Sequence, residues 1–324
     1  MTKKEKEEIR TLDIAIKNIE KSFGEGSIMT PGKAVFNKEV ISTGIFSLDR
    51  ILGVGGIPKG CIVEIYGRPS SGKSSLCMQF VGQVQKSKGV CVYIDMEHAF
   101  DGDYATQLGV DMSTLYIAQP SSAEEALGIV DELVKSGEVA CVVVDSVASL
   151  VPKGELERKV GEPLVGTQAK MMSEFLRRIN PIVGKTETIL LFINQTRTNV
   201  MQMYGNKTSV PGGDALKFYA KIRLEVKARE PINGSGLEVI GSVVRIKAQK
   251  NKVAPPFKFA DINFHFGKGF DGDDGAIDIA IDKGIIIRAG GWYSFGEIKV
   301  QGREKLMDYI DEIKEAIKSD ERIN

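Results

Sequence analysis

The stretch that most restricts this chain is "VEIYGRPSSGKSSLCMQ" (63–79), an apolar strand running into a glycine-rich turn, a lysine, hydroxyls and a helical segment. Its "GRPSSGKS" (67–74) meets the eight-residue pattern of a phosphate-binding loop, with the strand before it and the helix after it that such a loop requires. Gly67 and Gly72 permit a tight backbone whose N–H groups converge on one concavity. Arg68, Pro69, Ser70 and Ser71 complete the cradle between them, and Ser75 follows it. Lys73 brings a mobile positive charge to the β- and γ-phosphates of a nucleotide. Ser74 offers a hydroxyl to Mg²⁺, and the helix N-terminus adds its dipole. Loops of this kind serve kinases, GTPases, helicases, transporters and recombinases alike, so the rest of the chain must decide the chemistry.

The loop sits in an α/β pattern. "CIVEIYG" (61–67), "VCVYIDME" (90–97), "ACVVVDS" (140–146) and "TILLFINQ" (188–195) are short, near-continuous apolar runs. Such runs read as strands buried on both faces, hence a largely parallel sheet. Helical stretches at 121–136 and 168–179 separate them, which indicates a doubly wound layer structure. Further on, "KIRLEVKA" (221–228), "SVVRIKAQK" (242–250) and "ADINFHFG" (260–267) alternate apolar and polar residues, as antiparallel strands do. The sheet is therefore expected to be mixed at one edge.

Two segments flank this core. Ahead of it, Leu12, Ile16, Ile19 and Phe23 form one apolar helical stripe stopped by Gly24 and Gly26. The stripe either packs on the chain's own core, the first expectation, or docks on a neighbouring copy. Behind it, after "GKGFDGDDGA" (267–276), an apolar piece, a hairpin-like "GGWYSFGE" and a charged helix at 303–318 read as a small appended α+β domain. The "DGDDG" lacks the ligand spacing of a calcium loop and reads as a turn. The expected division is an N-terminal helix and linker (1–35), a nucleotide-binding core (36–269) and a small C-terminal domain (270–324).

With 43 basic and 43 acidic side chains the net charge is zero, so any nucleic-acid binding must come from local surfaces. No run of about 18 apolar residues exists and the N-terminus has no apolar signal core, so no membrane span and a cytoplasmic location are expected. Cys61, Cys77, Cys91 and Cys141 lie in apolar runs without metal or disulfide spacing and read as reduced core residues.

Beyond the loop, four positions carry chemistry. Asp145 closes "CVVVD", where an acid at a strand end steadies Mg²⁺. Glu97 ends "YIDME"; it reads either as the base that polarises an attacking water or as a surface acid. Gln195 and Arg197 follow the next buried strand in "FINQTR", where a neutral amide can sense a γ-phosphate. The segment 196–213 then shows no convincing periodic pattern. It has two basic residues, no acidic ones and the apolar tips Met201, Met203 and Tyr204. Such a loop suits contact with a phosphate backbone and insertion between bases. A second loop, 155–166, is net acidic. Plain surface loops remain an open reading for both.

Together these motifs resemble the bacterial RecA recombinases. The resemblance runs from about Ile14 to about Ile310 and includes "IEKSFGEGSIM", "ISTGIFSLDRILGVGGIP", "VEIYGRPSSGKSS", "IDMEHAFDGDYATQLGV", "VVVDSVASLVPK", "FINQTR", "GGDALKFYA" and "KNKVAPPFK". It implies a RecA-like P-loop core that binds ATP (or dATP) with Mg²⁺ and forms a helical filament on single-stranded DNA, pairing it with double-stranded DNA. It implies that Glu97 activates water, that Gln195 couples the γ-phosphate to a DNA loop, and that Asp101 and Tyr104 contact adenine. Lys250 and Lys252 would reach the ATP of the adjacent protomer. Loops 155–166 and 196–213 would bind DNA, with Val165, Arg197, Val200, Met203, Tyr204, Gly212 and Gly213 in them and Lys170 and Arg177 beside them. Lys217, Phe218 and Arg223 would lie at the subunit interface. The resemblance also moves the expectation for the N-terminal helix to docking on a neighbour. Further implied partners are a LexA-like repressor, whose self-cleavage would be promoted in the SOS response, and filament-loading proteins.

The chain departs from that pattern in a short C-terminal end, "AIKSDERIN", without an acidic tail, and in the altered loop "RKVGEPLV". A phage or a reduced genome would suit such a short form. Three rivals remain on the residues alone: a ring-forming hexameric helicase, a small-molecule kinase, and a non-hydrolysing paralogue that mediates filament loading. The "KNK" pair and the N-terminal helix weigh against the first. Glu97 and the two loops weigh against the second, and intact Lys73, Glu97 and Asp145 against the third.

Overall fold

The structure is a computed structural model and describes residues 3–25, 27–28, 39–159, 166–198, 208–234, 236 and 238–323. It divides into two units, Met1–Glu39 and Val40–Asn324. The first contains helix α1 (Lys3–Phe23), on which Leu12, Ile14 and Phe23 are exposed.

In the second unit, α2 (Phe46–Leu52) precedes β1 (Ile62–Gly67), the phosphate-loop segment and α3 (Lys73–Lys86). Then come β2 (Cys91–Asp95), α4 (Gly102–Gln107), β3 (Leu115–Ala118), α5 (Ala123–Ser136) and β4 (Cys141–Asp145). They are followed by α6 (Thr167–Thr186), β5 (Ile189–Gln195), α7 (Ala215–Tyr219) and β6 (Ile222–Asn233). Strands β7 (Val239–Asn251), β8 (Phe259–His265) and β9 (Gly269–Phe270) complete one nine-stranded sheet of order β9-β8-β7-β6-β1-β5-β4-β2-β3. The six strands from β6 to β3 in that order pair in parallel, and β6 through β9 pair antiparallel. The mixed, mainly parallel sheet follows from the side chains. Every residue of β2 and β4 is buried, which only a sheet covered on both faces achieves, whereas β6 and β7 alternate.

Alternation along each strand divides the core in two. Ile65, Tyr93 and Val143 face Leu76, Phe80 and Val81 of α3. Val92, Val142 and Phe192 face Val130 of α5 and Phe175, Leu176 and Ile179 of α6. Each large apolar side chain buried this way stabilises the fold by about 1.5–3 kcal/mol.

At the C-terminus, α8 (Asp274–Asp282) and a three-stranded antiparallel sheet of β10 (Ile286–Ala289), β11 (Trp292–Phe295) and β12 (Ile298–Gln301) precede α9 (Ile310–Ile323). A separate cluster of Ile277, Ile286, Tyr293, Leu306, Ile313 and Ile317 holds them, with Phe46 packed against it.

Several expectations need correction. The helix at 303–318 is a 3₁₀ segment, Arg303–Tyr309, followed by α9. The "DGDDG" turn passes directly into α8, because Asp273 is its N-cap. Helix α6 runs through Pro181 to Thr186, well past the expected end. The segment 196–213 contains a two-residue ladder, Arg197–Thr198 with Thr208–Ser209, and a short helix, Lys153–Leu156, enters the segment 155–166. Among the described residues, no helix is long and apolar enough to cross a membrane.

Register places the site. Gly67 pairs with Gln195, and Asp95 with Asp145, so the carboxyl ends of four parallel strands form one rim. Ligands bind open α/β sheets at this rim.

Candidate nucleotide-binding and catalytic site

The phosphate loop leaves β1 at Gly67, where a Cβ would lie 2.1 Å from the carbonyl oxygen of Val226 on the adjacent strand. Only glycine fits that contact. The chain re-enters helix at Gly72, the N-cap of α3, with φ +88° and no side chain capping the helix. Ser70 also adopts a left-handed conformation, φ +57°. The helix N-terminus thus faces the loop. Ser71 Oγ is buried and has no hydrogen-bond partner among the described residues. A buried hydroxyl left unpaired costs about 1–3 kcal/mol, so a ligand oxygen here would relieve it.

Lys73 is buried, and Nζ donates to the carbonyl of Arg68 at 2.8 Å. Burial holds its pKa below the usual lysine value, while the carboxylates of Asp145 and Glu97 pull it back up. Ser74 Oγ donates to Asp145 Oδ2 at 2.7 Å, which joins the two expected Mg²⁺ ligands. Burial raises the Asp145 pKa, opposed by the hydrogen bonds from Tyr93 and Ser74.

Glu97 lies two residues beyond β2, and its backbone N–H donates to Asp95 Oδ1 at 3.1 Å. Its Oε1 accepts from Ser146 Oγ at 2.6 Å and from Gln195 Nε2 at 2.8 Å. The two residues come from different strand ends, so the sheet itself brings them together. Asn194 extends the connection. Its Oδ1 accepts from the Gln195 N–H at 3.0 Å, and its Nδ2 donates to buried Glu64 and to the Pro211 carbonyl, each at 3.1 Å. The strand end carrying Gln195 is thereby tied to the far end of segment 196–213.

Asp101 caps α4 by accepting from the Tyr104 N–H at 3.0 Å, and Tyr104 Oη lies 2.8 Å from Ser75 Oγ. Tyr104 therefore adjoins the phosphate loop, and Asp101 caps the helix that carries it.

A second group gathers around α7. Lys250 Nζ donates to the carbonyls of Lys217 at 2.6 Å and Phe218 at 2.8 Å. Lys217 pairs with Asp214, Phe218 is 73% exposed, and Lys252 is exposed. Arg223 forms a bridge with Glu64 and lies 4.6 Å over the Tyr66 ring. Lys170 and Arg177 are exposed on α6. Gly212 and Gly213, at φ +83° and +73°, pack so closely on Val147 and Ala169 that a Cβ would come within 2.8 Å of each. Val165, Val200, Met203 and Tyr204 lie outside the described residues, and Arg197 is described through its backbone pairing with Ser209 alone. A cavity of about 1110 Å³ between α2, the turn at 256–259 and α9 shares no residue with the phosphate loop.

Sequence reading missed Tyr93, Ser146 and Asn194. Each sits inside or beside an apolar run, and its partner lies across the sheet. The one legible signal was a polar atom in a run that should be wholly apolar.

The family described as "RecA N-terminal domain" matches residues 10–271, and "RecA C-terminal domain" matches 275–322. Protein RecA of Lactobacillus johnsonii is 48% identical over 305 residues, covering 94% of this chain and 84% of that protein. Protein RecA of Symbiobacterium thermophilum is 46% identical over 306 residues, covering 93% and 87%. Among solved structures, the crystal structure of the RadB recombinase superposes with a TM-score of 0.53 at 22% identity, covering 71% of this chain and 98% of that one, a likeness of fold. A phosphate loop, a strand-end acid and a bonded Glu97–Gln195 pair on one sheet rim agree with these matches, and the chain belongs to the RecA family.

Proposed function

We propose that this chain hydrolyses ATP between neighbouring subunits of a helical filament on single-stranded DNA, and that the filament pairs with a homologous duplex and exchanges strands. A member of the RecA family is a DNA-dependent ATPase of recombination and repair; the finer steps of the proposal rest on the residues below.

The observation that supports the reading best is the bond between Glu97 and Gln195. It joins a carboxylate placed to take a proton from water to the strand end that leads into segment 196–213. A change in that segment on contact with DNA would alter how Glu97 is held, which makes hydrolysis depend on DNA.

Residues 67–75 suit a triphosphate. The loop excludes side chains at Gly67, leaves Ser71 Oγ without a partner among the described residues and keeps Lys73 as the charge for the phosphates. Ser74 and Asp145 are hard oxygen donors of the kind that hold Mg²⁺, which when bound offsets phosphate charge. Asp101 and Tyr104 take the adenine. Lys250 and Lys252 reach the nucleotide of the adjacent protomer, in the manner of an arginine finger supplied in trans. Lys217, Phe218 and Arg223 belong to the subunit interface. The exposed apolar positions of α1 dock on a neighbour. Segments 155–166 and 196–213, with Lys170 and Arg177, contact DNA. The division at 1–35, 36–269 and 270–324, a cytoplasmic location, loading proteins and stimulation of repressor self-cleavage complete the proposal.

Steady-state ATP hydrolysis with and without single-stranded DNA, across protein concentrations, tests it. The expected result is strong stimulation that rises cooperatively with protein, and loss of nucleotide binding in Lys73→Ala. Turnover indifferent to DNA would overturn the reading.

A further inference from the structure

Tyr93 lies in the middle of β2, on the face that carries Cys91 and Asp95 and packs against α3. Its side chain is 2% exposed, and its ring meets Phe100 edge-on with centroids 5.0 Å apart. A phenol so deeply buried must place its hydroxyl on a partner. That partner is Oδ2 of Asp145, at 2.6 Å. The same oxygen accepts from Ser74 Oγ at 2.7 Å.

The arrangement has a consequence for the Ser74 hydroxyl. A serine carries one proton and two lone pairs. With its proton committed to Asp145, Ser74 has only lone pairs to present to a cation. That commitment holds only while Oδ2 stays where it is. Asp145 is buried at the end of its strand, and its Oδ2 has two side-chain donors, Ser74 and Tyr93. Tyr93, fixed by packing on a neighbouring strand, anchors it.

We infer that Tyr93 is a positioning residue of the Mg²⁺ site: its buried hydroxyl locks the Asp145 carboxylate and, through it, the Ser74 hydroxyl in the orientation the cation needs. The inference rests on the reading of Ser74 and Asp145 as the cation-holding pair. Partners of this kind, one step behind a metal ligand, typically change metal affinity by about 10- to 100-fold when removed.

Tyr93→Phe removes one oxygen and keeps the ring. The assay follows a fluorescent ATP analogue binding to the full chain, first in chelator and then across a Mg²⁺ titration. Metal-free binding stays within about twofold of the parent, while the Mg²⁺ concentration at half-effect rises about 10-fold. In a Ser74→Ala background the same change adds little, because both act through one carboxylate oxygen. An unshifted Mg²⁺ midpoint in Tyr93→Phe overturns the inference. An equal loss of metal-free and metal-dependent binding does so too, since the hydroxyl would then support only the sheet. Full additivity with Ser74→Ala removes the route through Ser74. A parent chain whose nucleotide binding ignores Mg²⁺ overturns the reading of Ser74 and Asp145 first, and the Tyr93 inference with it.

Discussion

The side-chain amide of Gln195 donates to Oε1 of Glu97 at 2.8 Å, and Ser146 donates to the same oxygen at 2.6 Å. One carboxylate oxygen is thus held by two donors, one from the end of β5 and one from the residue after β4. The carboxylate is oriented by the sheet and not by its own strand.

Glu97→Gln keeps the shape and removes the carboxylate proposed as the base. Turnover with saturating single-stranded DNA falls by about 100-fold or more, the usual loss for a general base, while nucleotide and DNA binding persist. Single-turnover hydrolysis beside equilibrium binding of a fluorescent nucleotide checks both halves.

Lys250 spends its ammonium on two backbone carbonyls at the end of α7. Lys250→Gln therefore costs the folded chain less than about 1 kcal/mol, the scale of a cation at a helix C-terminus. DNA-stimulated hydrolysis falls much further, on the order of 10³-fold, if the same charge serves a neighbour's nucleotide. Urea unfolding and DNA-stimulated turnover, compared in one variant, separate these effects.

Gly67→Ala places a methyl 2.1 Å from the Val226 carbonyl, a backbone atom that cannot swing aside. Strands β1 and β6 must part, at a cost of about 1–3 kcal/mol. The midpoint of urea unfolding without nucleotide falls accordingly, and an unchanged midpoint would mean that the strands adjust freely.

Arg245 donates two hydrogen bonds to Asp261, at 2.7 and 2.6 Å, and these hold the Asp261 carboxyl below its ordinary value of 3.8 against a smaller opposing effect of burial. A depressed carboxyl stabilises the fold above the unfolded value and loses that contribution as pH falls through the folded one. The side chains are 32% and 40% exposed, so the pair is worth under about 1 kcal/mol. Asp261→Asn should lower stability by that small amount at neutral pH, with the difference closing below about pH 3.8. Parallel urea titrations at several pH values read it directly.

How much of this was legible in the sequence depends on how local each signal is. The segment 67–74 and Asp145 were readable because a phosphate loop concentrates its chemistry in adjacent residues and a strand-end acid follows an unbroken apolar run. The mixed sheet was readable because burial on two faces and on one leaves different patterns. Strand β3 escaped because it lies at the sheet edge, with Tyr116 and Ile117 exposed, and lacks the apolar run of an inner strand. The ladder between Arg197–Thr198 and Thr208–Ser209 is too short to impose a period. Tyr93 escaped because its hydroxyl answers a residue 52 positions away, and no window along the chain contains both.

All four cysteines are buried, none forms a disulfide, and burial pushes the Cys77 thiol well above its ordinary value. Cys77, Cys91 and Cys141 belong to the sheet or to the helix lying on it, Cys61 is the residue before β1, and all four share one core cluster. A thiol reagent added to the intact chain thus finds nothing to modify until the central layers separate. The four native thiols are an internal clock for opening of the nucleotide-binding core, and a cysteine placed at the exposed Phe218 would label at once while they stay silent.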